Sequence, residues 1–156
     1  MRKILLSVFI FSLSIMAVAI SGKVIKVSDG DTILLQSGSQ RIKVRMYGID
    51  APELKQNYGE VSKNYLEKRI LNRNIDLKVI NEDKYGRKVG KVFYKNKDIN
   101  LEMIETGNAW FYEYHAKREK EYRKAFKSAQ EQKLGLWKDK NPQNPRSFRL
   151  ENKRED

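Results

Sequence analysis

The chain contains no cysteine, a single histidine and only three prolines among its 156 residues. The absence of cysteine excludes a disulfide framework, a cysteine-ligated zinc site and a thiol nucleophile. Because His115 is the only histidine, a mechanism that needs two histidines, as an acid–base pair or as paired metal ligands, is also excluded. Carboxylates, hydroxyls, lysines and arginines remain, so an enzyme built from them is expected to combine carboxylates with a hard metal ion.

Acidic residues are outnumbered by basic ones. The chain has 32 lysines and arginines against 20 aspartates and glutamates, a net charge of +12. This excess attracts polyanions, with nucleic acid as the leading candidate and anionic membrane or cell-wall polymer as the alternatives. The length suits one domain with one core, and we expect a monomer.

The N-terminus has the features of a targeting segment. Arg2 and Lys3 precede a run without charge from Ile4 to Ile20. A membrane-spanning helix needs ~20 apolar residues, and this run is shorter and contains serines. Since Ala17-Val18-Ala19 fits the small-x-small cleavage pattern, we predict a signal peptide over residues 1–19, with cleavage after Ser21 as the second choice. An uncleaved signal anchor is the alternative. Cleavage predicts a secreted protein, extracellular or periplasmic, without stable membrane association.

Hydrophobic periodicity and turn residues predict five short strands and three helices. In the third strand, Ile42, Val44 and Met46 alternate with polar residues and are expected to face the core. Asn100 is expected to cap the second helix, and Val61, Tyr65 and Ile70 are expected on one side of the first. The predicted strands are 23–28, 32–36, 41–47, 75–80 and 88–94, and the predicted helices are 60–71, 100–106 and 117–134.

This order of elements predicts the fold class. We expect an α+β domain with a mainly β core over residues 20–137, built as a five-stranded OB-type Greek-key barrel with three α-helices. The polar stretch 138–156 contains two prolines and is expected to be an extended or loosely packed tail.

Acidic residues occur in two loops that the barrel would bring together. Asp29 and Asp31 flank the turn after the first strand, and Asp50 and Glu53 follow the third. If the second and third strands pair, these carboxylates converge at one end of the barrel. Clustered carboxylates raise each other's pKa, and a bound Ca²⁺ or Mg²⁺ would relieve their repulsion. Asp-Gly turns also occur for structural reasons, and the spacing alone leaves both interpretations open.

Two arginines and three tyrosines suggest contacts with nucleic acid. Arg45 lies on the polar face of the third strand, and Arg87 ends the DKYGR turn. A guanidinium can hold a phosphate through two parallel hydrogen bonds, although both could also be ordinary solvated charges. Tyr85, Tyr112 and Tyr114 could stack on bases, each contact worth ~1–3 kcal/mol. The adjacent Trp110 and Phe111 are assigned to the core, and His115 is given no catalytic role.

Taken together, several segments resemble the staphylococcal nuclease (thermonuclease) family, and in particular its secreted bacterial members. The resemblance covers residues 23–148 and is specific because the segments occur in the same order. They are VSDGDT (27–32), VRMYGIDAPE (44–53), DKYGR (83–87), ETGNAW (105–110) and LGLWKDKNPQNPRSF (134–148). The resemblance implies the five-stranded OB-type barrel. It also implies a Ca²⁺-dependent endonuclease that hydrolyses DNA and RNA, as single strands or locally opened duplex, to 3′-phosphorylated products.

The resemblance also implies residue roles. Calcium would be held by Asp31, Asp50 and the backbone carbonyl of Ala51, which stands where the family often has threonine. Glu53 would hold or activate the attacking water. Phosphate would be gripped by Arg45 and Arg87, and nucleotide contacts would come from Lys84, Tyr85, Tyr112 and Tyr114. The loop after Glu53 is shorter than in the best-known secreted member, a difference that concerns affinity and rate rather than chemistry.

Two other functions compete with this one. The first is a non-catalytic nucleic-acid-binding OB module, although the full set of acidic and arginine residues argues against lost activity. The second is a secreted cationic protein that binds polyanions through the basic helix 117–134, which explains the charge but not the acidic cluster.

Overall fold

The computed structural model describes residues 19–153. The predicted signal peptide therefore lies outside the described residues, apart from Ala19. Within residues 19–153, no helix has the length and apolar character needed to cross a membrane.

The described chain forms eight strands, four α-helices and one 3₁₀ turn. The strands are β1 (Ala19–Asp29), β2 (Thr32–Ser37), β3 (Gln40–Met46), β4 (Ile49–Asp50), β5 (Asn74–Glu82), β6 (Lys88–Tyr94), β7 (Lys97–Asp98) and β8 (Trp110–Phe111). The helices are α1 (Gly59–Ile70), α2 (Ile99–Glu105), α3 (Lys120–Glu131) and α4 (Pro145–Asn152), and the 3₁₀ turn covers Gly135–Lys138.

Five of the strands close into a barrel. β1, β2 and β3 form an antiparallel meander, β1 also pairs with β5, and β5 pairs with β6. The barrel closes through a parallel pairing between β3 and β6, in which Arg45 lies opposite Val89. This topology confirms the predicted OB-type α+β fold, including the antiparallel pairing of β2 with β3 that sets Thr32 opposite Arg45.

The core fills the barrel and continues under α1 and α2. The predicted inward face of β3 is confirmed, because Val44 and Met46 are buried and Ile42 packs against the same cluster. A smaller apolar cluster joins α3 to the 3₁₀ turn through Ala129, Leu136 and Trp137. The buried residues of the main cluster include Val24, Ile33, Leu35, Leu66, Ile70, Leu77, Val92, Ile99, Met103, Ile104 and Tyr122.

Three helix predictions were wrong. Asp98, not Asn100, caps α2 by accepting a hydrogen bond from the backbone N–H of Leu101. Asn100 is instead buried, where its side chain accepts from Val92 and donates to the carbonyls of Tyr47 and Gly90. Of the side predicted for α1, Ile70 is buried and Tyr65 packs against the core, but Val61 is 50% exposed, because the helix buries Gly59 and Ser62 instead.

The third correction concerns the number of helices, which is four rather than three. The stretch from Lys138, expected to be extended or loosely packed, ends in α4. Asn144 caps this helix by accepting from the backbone N–H of Arg146, and Pro145 occupies its first turn, where a missing N–H costs nothing.

A buried carboxylate ties α2 to α1. Glu102 is 3% exposed and accepts hydrogen bonds from Tyr65 and Arg69, while the Lys97 ammonium lies 3.2 Å from Oε2. Burial alone would raise the pKa of Glu102, but these partners outweigh it and lower the pKa from 4.5 to about 2.

Replacing this carboxylate tests its contribution to stability. We expect Glu102→Gln to lower the free energy of unfolding by about 2 kcal/mol at pH 7, because the ion pairs are lost. The native pKa lies below the ordinary value, so the stabilisation is complete above pH 4.5 and is lost as the pH falls towards 2. Urea unfolding is measured from pH 8 downwards. The difference in free energy of unfolding between the unmodified protein and Glu102→Gln should become smaller below pH 4.5. The exposed Glu105→Gln is the control, and a gap independent of pH would contradict the assignment.

Candidate active site

A cleft of about 620 Å³ opens at one end of the barrel. The β1–β2 turn, the segment around β4 and the β5–β6 turn converge there. Of the residues proposed from the sequence, Lys84 and Tyr114 are absent from the cleft lining. Those that line it are Asp31, Arg45, Asp50, Ala51, Glu53, Tyr85, Arg87 and Tyr112.

Asp31 and Asp50 converge as the strand pairing predicts. Both are buried, and the Arg45 guanidinium lies between them, with Nη1 3.0 Å from Asp31 Oδ1 and Nη2 3.0 Å from Asp50 Oδ1. Arg45 Nη1 also donates to the carbonyl of Met46. In this arrangement Arg45 neutralises part of the charge on the two carboxylates before any phosphate is present.

A glycine brings the Asp31 turn close to α1. A Cβ at Gly30 would stand 2.0 Å from Ser62 Oγ and 2.6 Å from Ala51 Cβ, so no other residue fits without movement. The close approach lets the backbone N–H of Ala51 donate to Asp31 Oδ2 over 2.7 Å. The side chain of Asp31 is thereby fixed to the segment that carries Asp50.

Burial makes the negative charge in this cluster unfavourable. Burial raises the pKa of Asp31 to about 6, with nearby Asp29 adding to the increase and Arg45 opposing it. Burial also raises the pKa of Asp50, and the charge of Asp31 adds to it, whereas a hydrogen bond from Arg149 acts in the opposite direction. An additional cation at this position would relieve the cost of both ionised carboxylates.

The donor atoms fit a hard cation such as Ca²⁺. Asp31 and Asp50 offer carboxylate oxygens, and Ala51 lies beside them with a backbone carbonyl, the kind of ligand that Ca²⁺ prefers. Within residues 19–153, no three histidine, cysteine, aspartate or glutamate side chains gather as a metal site. An ion at this position would therefore depend on two carboxylates, a carbonyl and water.

Glu53 lies on a short loop that α1 holds in place. A Cβ at Gly59 would stand 1.9 Å from the Glu53 carbonyl oxygen, so the loop packs directly on the start of the helix. The side-chain oxygen of buried Gln56 accepts from the backbone N–H of Glu53, and the backbone N–H of Gln56 donates to the Glu53 carbonyl. The Glu53 carboxylate remains 36% exposed and can reach a water molecule in the cleft.

Arg87 is held by the turn between β5 and β6. Asp83 accepts from the backbone N–H groups of Tyr85 and Arg87 and from Arg87 Nε, over 2.7 to 3.0 Å. Burial would raise the pKa of Asp83, but these hydrogen bonds lower it. Since Nε is used by Asp83, the terminal nitrogens of Arg87 are the ones available to an anion in the cleft. Asp83 is therefore a positioning residue that sequence reasoning missed, although its place at the start of the DKYGR turn is a usable signal.

The aromatic side chains divide between the cleft and its rim. Tyr85 and Tyr114 are each 71% exposed, and the cations of Lys84 and Arg87 lie 5.1 and 5.5 Å from the Tyr85 ring. Tyr112 lines the cleft, and its ring centroid lies 6.4 Å from that of Tyr114. The exposed rings are accessible for stacking, whereas buried Phe111 and half-buried Trp110 pack against Phe126, as expected.

A third arginine enters the cleft from the C-terminal helix. Arg149 Nη1 and Nη2 donate to the two carboxylate oxygens of Asp50 over 3.1 and 2.9 Å, and Nη1 also donates to Glu53 Oε1 over 2.7 Å. Sequence reasoning missed Arg149, because it lies in the polar stretch predicted to be an extended tail, and nothing in the local pattern marks it among the other basic residues.

Comparison with known proteins gives consistent matches. The family model described as "Staphylococcal nuclease homologue" matches residues 43–139. An uncharacterized endonuclease of Haemophilus influenzae is 37% identical over 97% of this chain and 88% of its own length. An uncharacterized endonuclease of Escherichia coli O157:H7 is 34% identical over 93% of this chain and 95% of its own. A micrococcal nuclease of Shigella flexneri is 33% identical over 85% of this chain and 82% of its own.

Proposed function

Because the chain belongs to the staphylococcal nuclease family, we propose that it is a calcium-dependent nuclease that hydrolyses phosphodiester bonds of DNA and RNA. The observation that carries this proposal is the convergence of Asp31, Asp50, Glu53 and Arg87 on one cleft. The proposed products are 3′-phosphorylated nucleotides and oligonucleotides, formed from single strands or locally opened duplex.

The proposed hydrolysis needs a polarised phosphate and an activated water molecule. A calcium ion held by Asp31, Asp50 and the Ala51 carbonyl would supply positive charge that draws electron density from a phosphate oxygen. Glu53 positions a water molecule and accepts its proton as the water oxygen bonds to phosphorus. The bond from phosphorus to the 5′-oxygen breaks, and that oxygen leaves with the electron pair and takes a proton from solvent.

The arginines act on the charge that develops during this step. The terminal nitrogens of Arg87 donate to the equatorial phosphate oxygens, where negative charge grows in the transition state. Arg45 adds positive charge from the floor of the cleft while it holds the two aspartates. We propose that Lys84, Tyr85, Tyr112 and Tyr114 contact the nucleotides on either side. These contacts are with the phosphate backbone of the nucleic acid and with the faces of its bases. We therefore expect little sequence specificity and binding that weakens as the salt concentration rises.

A cleavage assay tests the proposal directly. Single-stranded DNA, duplex DNA and RNA are incubated with the purified protein in Ca²⁺, in Mg²⁺ and in EDTA. The proposal expects cleavage with Ca²⁺, none with EDTA and 3′-phosphate ends on the products. Tight binding without cleavage under every condition would overturn it in favour of the non-catalytic binding module.

The metal assignment has its own prediction. We expect Asp31→Asn to weaken calcium binding by about tenfold or more, because calcium affinity depends on the number of charged ligands. Isothermal titration calorimetry measures this without any substrate. Asp76→Asn is the control, since Asp76 is an exposed carboxylate of β5 outside the cleft. Unchanged affinity in Asp31→Asn would remove Asp31 from the metal site.

We also propose that the protein is secreted after cleavage behind Ala19 and acts as a monomer without stable membrane association. Strand pairing supports this position over a cut after Ser21. Cleavage behind Ala19 preserves the β1–β5 pairs from Ile20↔Leu77 onwards, whereas the later cut would also remove Ile20 and Ser21. The later cut would remove the Ser21 carbonyl that accepts from Ser37 as well. N-terminal sequencing of the exported protein tests the site.

A further inference from the structure

The two acidic groups with the most important proposed roles share one partner in this structure. Arg149 spans both oxygens of Asp50, a proposed calcium ligand, and one oxygen of Glu53, the proposed base. Asp50 Oδ1 also accepts from Arg45. The lone pairs that would face a metal ion are therefore already directed at guanidinium nitrogens.

The position of α4 does not depend on Arg149 alone. Gln56 donates to the Gln143 carbonyl over 2.6 Å, which ties the segment before α4 to the loop that carries Glu53. Pro145 is buried, and Asn57 donates to Asp139. These contacts bring the helix across the cleft, and Arg149 then extends from it into the acidic cluster.

Charge explains why this arginine is stable in the cleft. Asp31, Asp50 and Glu53 present three carboxylates, and Arg45 pairs with the first two through a single positive charge. A bidentate arginine–carboxylate pair is among the stronger polar contacts in proteins. Yet the Arg149 side chain is 39% exposed, so water and ions can reach the contact and compete for it.

We propose that Arg149 competes with calcium for Asp50, and that calcium binding requires α4 to release Asp50 and Glu53. α4 is then a self-inhibiting segment, because its docked form blocks both the metal ligand and the base. The inference rests on the proposed function, in which Asp50 binds calcium. Since the two cations exclude each other, calcium weakens the docking of α4 to the same extent that Arg149 weakens calcium binding.

Calorimetry with Ca²⁺ alone tests this competition on the full-length protein. We expect Arg149→Ala to bind calcium about tenfold more tightly than the unmodified protein. The reason is that the bidentate, half-buried pair between Arg149 and Asp50 no longer competes with calcium. Arg149→Lys keeps the positive charge but cannot donate two parallel hydrogen bonds, so its calcium affinity should lie between those of the other two proteins. Arg146→Ala is the matched control on the same helix, since Arg146 is exposed, and should bind calcium within twofold of the unmodified protein.

Hydrogen exchange supplies a second measurement that does not involve activity. The backbone amides of α4 should exchange faster when calcium is added, and already without calcium in Arg149→Ala. Equal calcium affinity in Arg149→Ala and Arg146→Ala, or weaker affinity in Arg149→Ala, would overturn the competition while the calcium site stands. Absence of calcium binding in all of these proteins would instead overturn the calcium ligands of the proposed function, and this inference with them.

Discussion

Glu53→Gln is expected to lower kcat by about 10²- to 10⁴-fold, the usual contribution of a positioned general base. The amide keeps the shape of the carboxylate but cannot accept the proton of the attacking water. The loop should keep its conformation, because Gly59 and Gln56 hold it through the backbone of Glu53 and not through its carboxylate. Initial rates on single-stranded DNA with saturating Ca²⁺ measure the effect.

Two controls separate this loss from indirect causes. Glu60→Gln removes the same charge from an exposed position in the first turn of α1 and should retain full activity. Calcium affinity in Glu53→Gln should not be lower than in the unmodified protein, because Glu53 is not a proposed ligand. Turnover within a few fold of normal would remove Glu53 from the mechanism.

Arg87→Lys is expected to lower kcat by about 10²- to 10³-fold, as for the loss of one preorganised donor to a transition-state oxygen. Lysine preserves the positive charge but cannot donate two parallel hydrogen bonds, and it cannot use Nε to hold the side chain against Asp83. Because the contact strengthens as charge develops on the phosphate, kcat should fall much more than KM rises.

The control for this variant is Arg41→Lys. Arg41 is exposed on β3, the strand that also carries Arg45, and it lies outside the residues that line the cleft. The Arg41→Lys variant should cleave DNA at the normal rate. If Arg87→Lys retains near-normal kcat, positive charge alone is enough at this position, and the two parallel hydrogen bonds of the guanidinium have no special role.

Much of the barrel could be predicted from the sequence because strand alternation and turn chemistry are local signals. The alternation of Ile42, Val44 and Met46 identified the inner face of β3, and the pairing of β2 with β3 follows from the short turn between them. That pairing is what brings Asp31 and Asp50 together, so the acidic end of the cleft could be anticipated. The roles of these residues remain predictions.

The errors have a common physical origin in tertiary contacts. α1 buries Gly59 and Ser62 because neighbouring loops approach the helix closely, and neither residue contributes to a hydrophobic pattern. Asn100 looked like a cap, but its amide satisfies backbone groups of other segments. Arg149 reaches Asp50 across 99 positions of the sequence, a separation at which no local pattern applies.

Closure of the barrel joins segments that are synthesised at different times. Ala19 pairs with Lys78, and Val44 pairs with Lys88. Pairings between such distant segments form slowly, so folding should take about milliseconds to seconds rather than microseconds. Until β6 has emerged from the ribosome, the nascent chain can form neither a closed barrel nor a cleft that contains Arg87. The proposed activity therefore arises only after synthesis has passed β6.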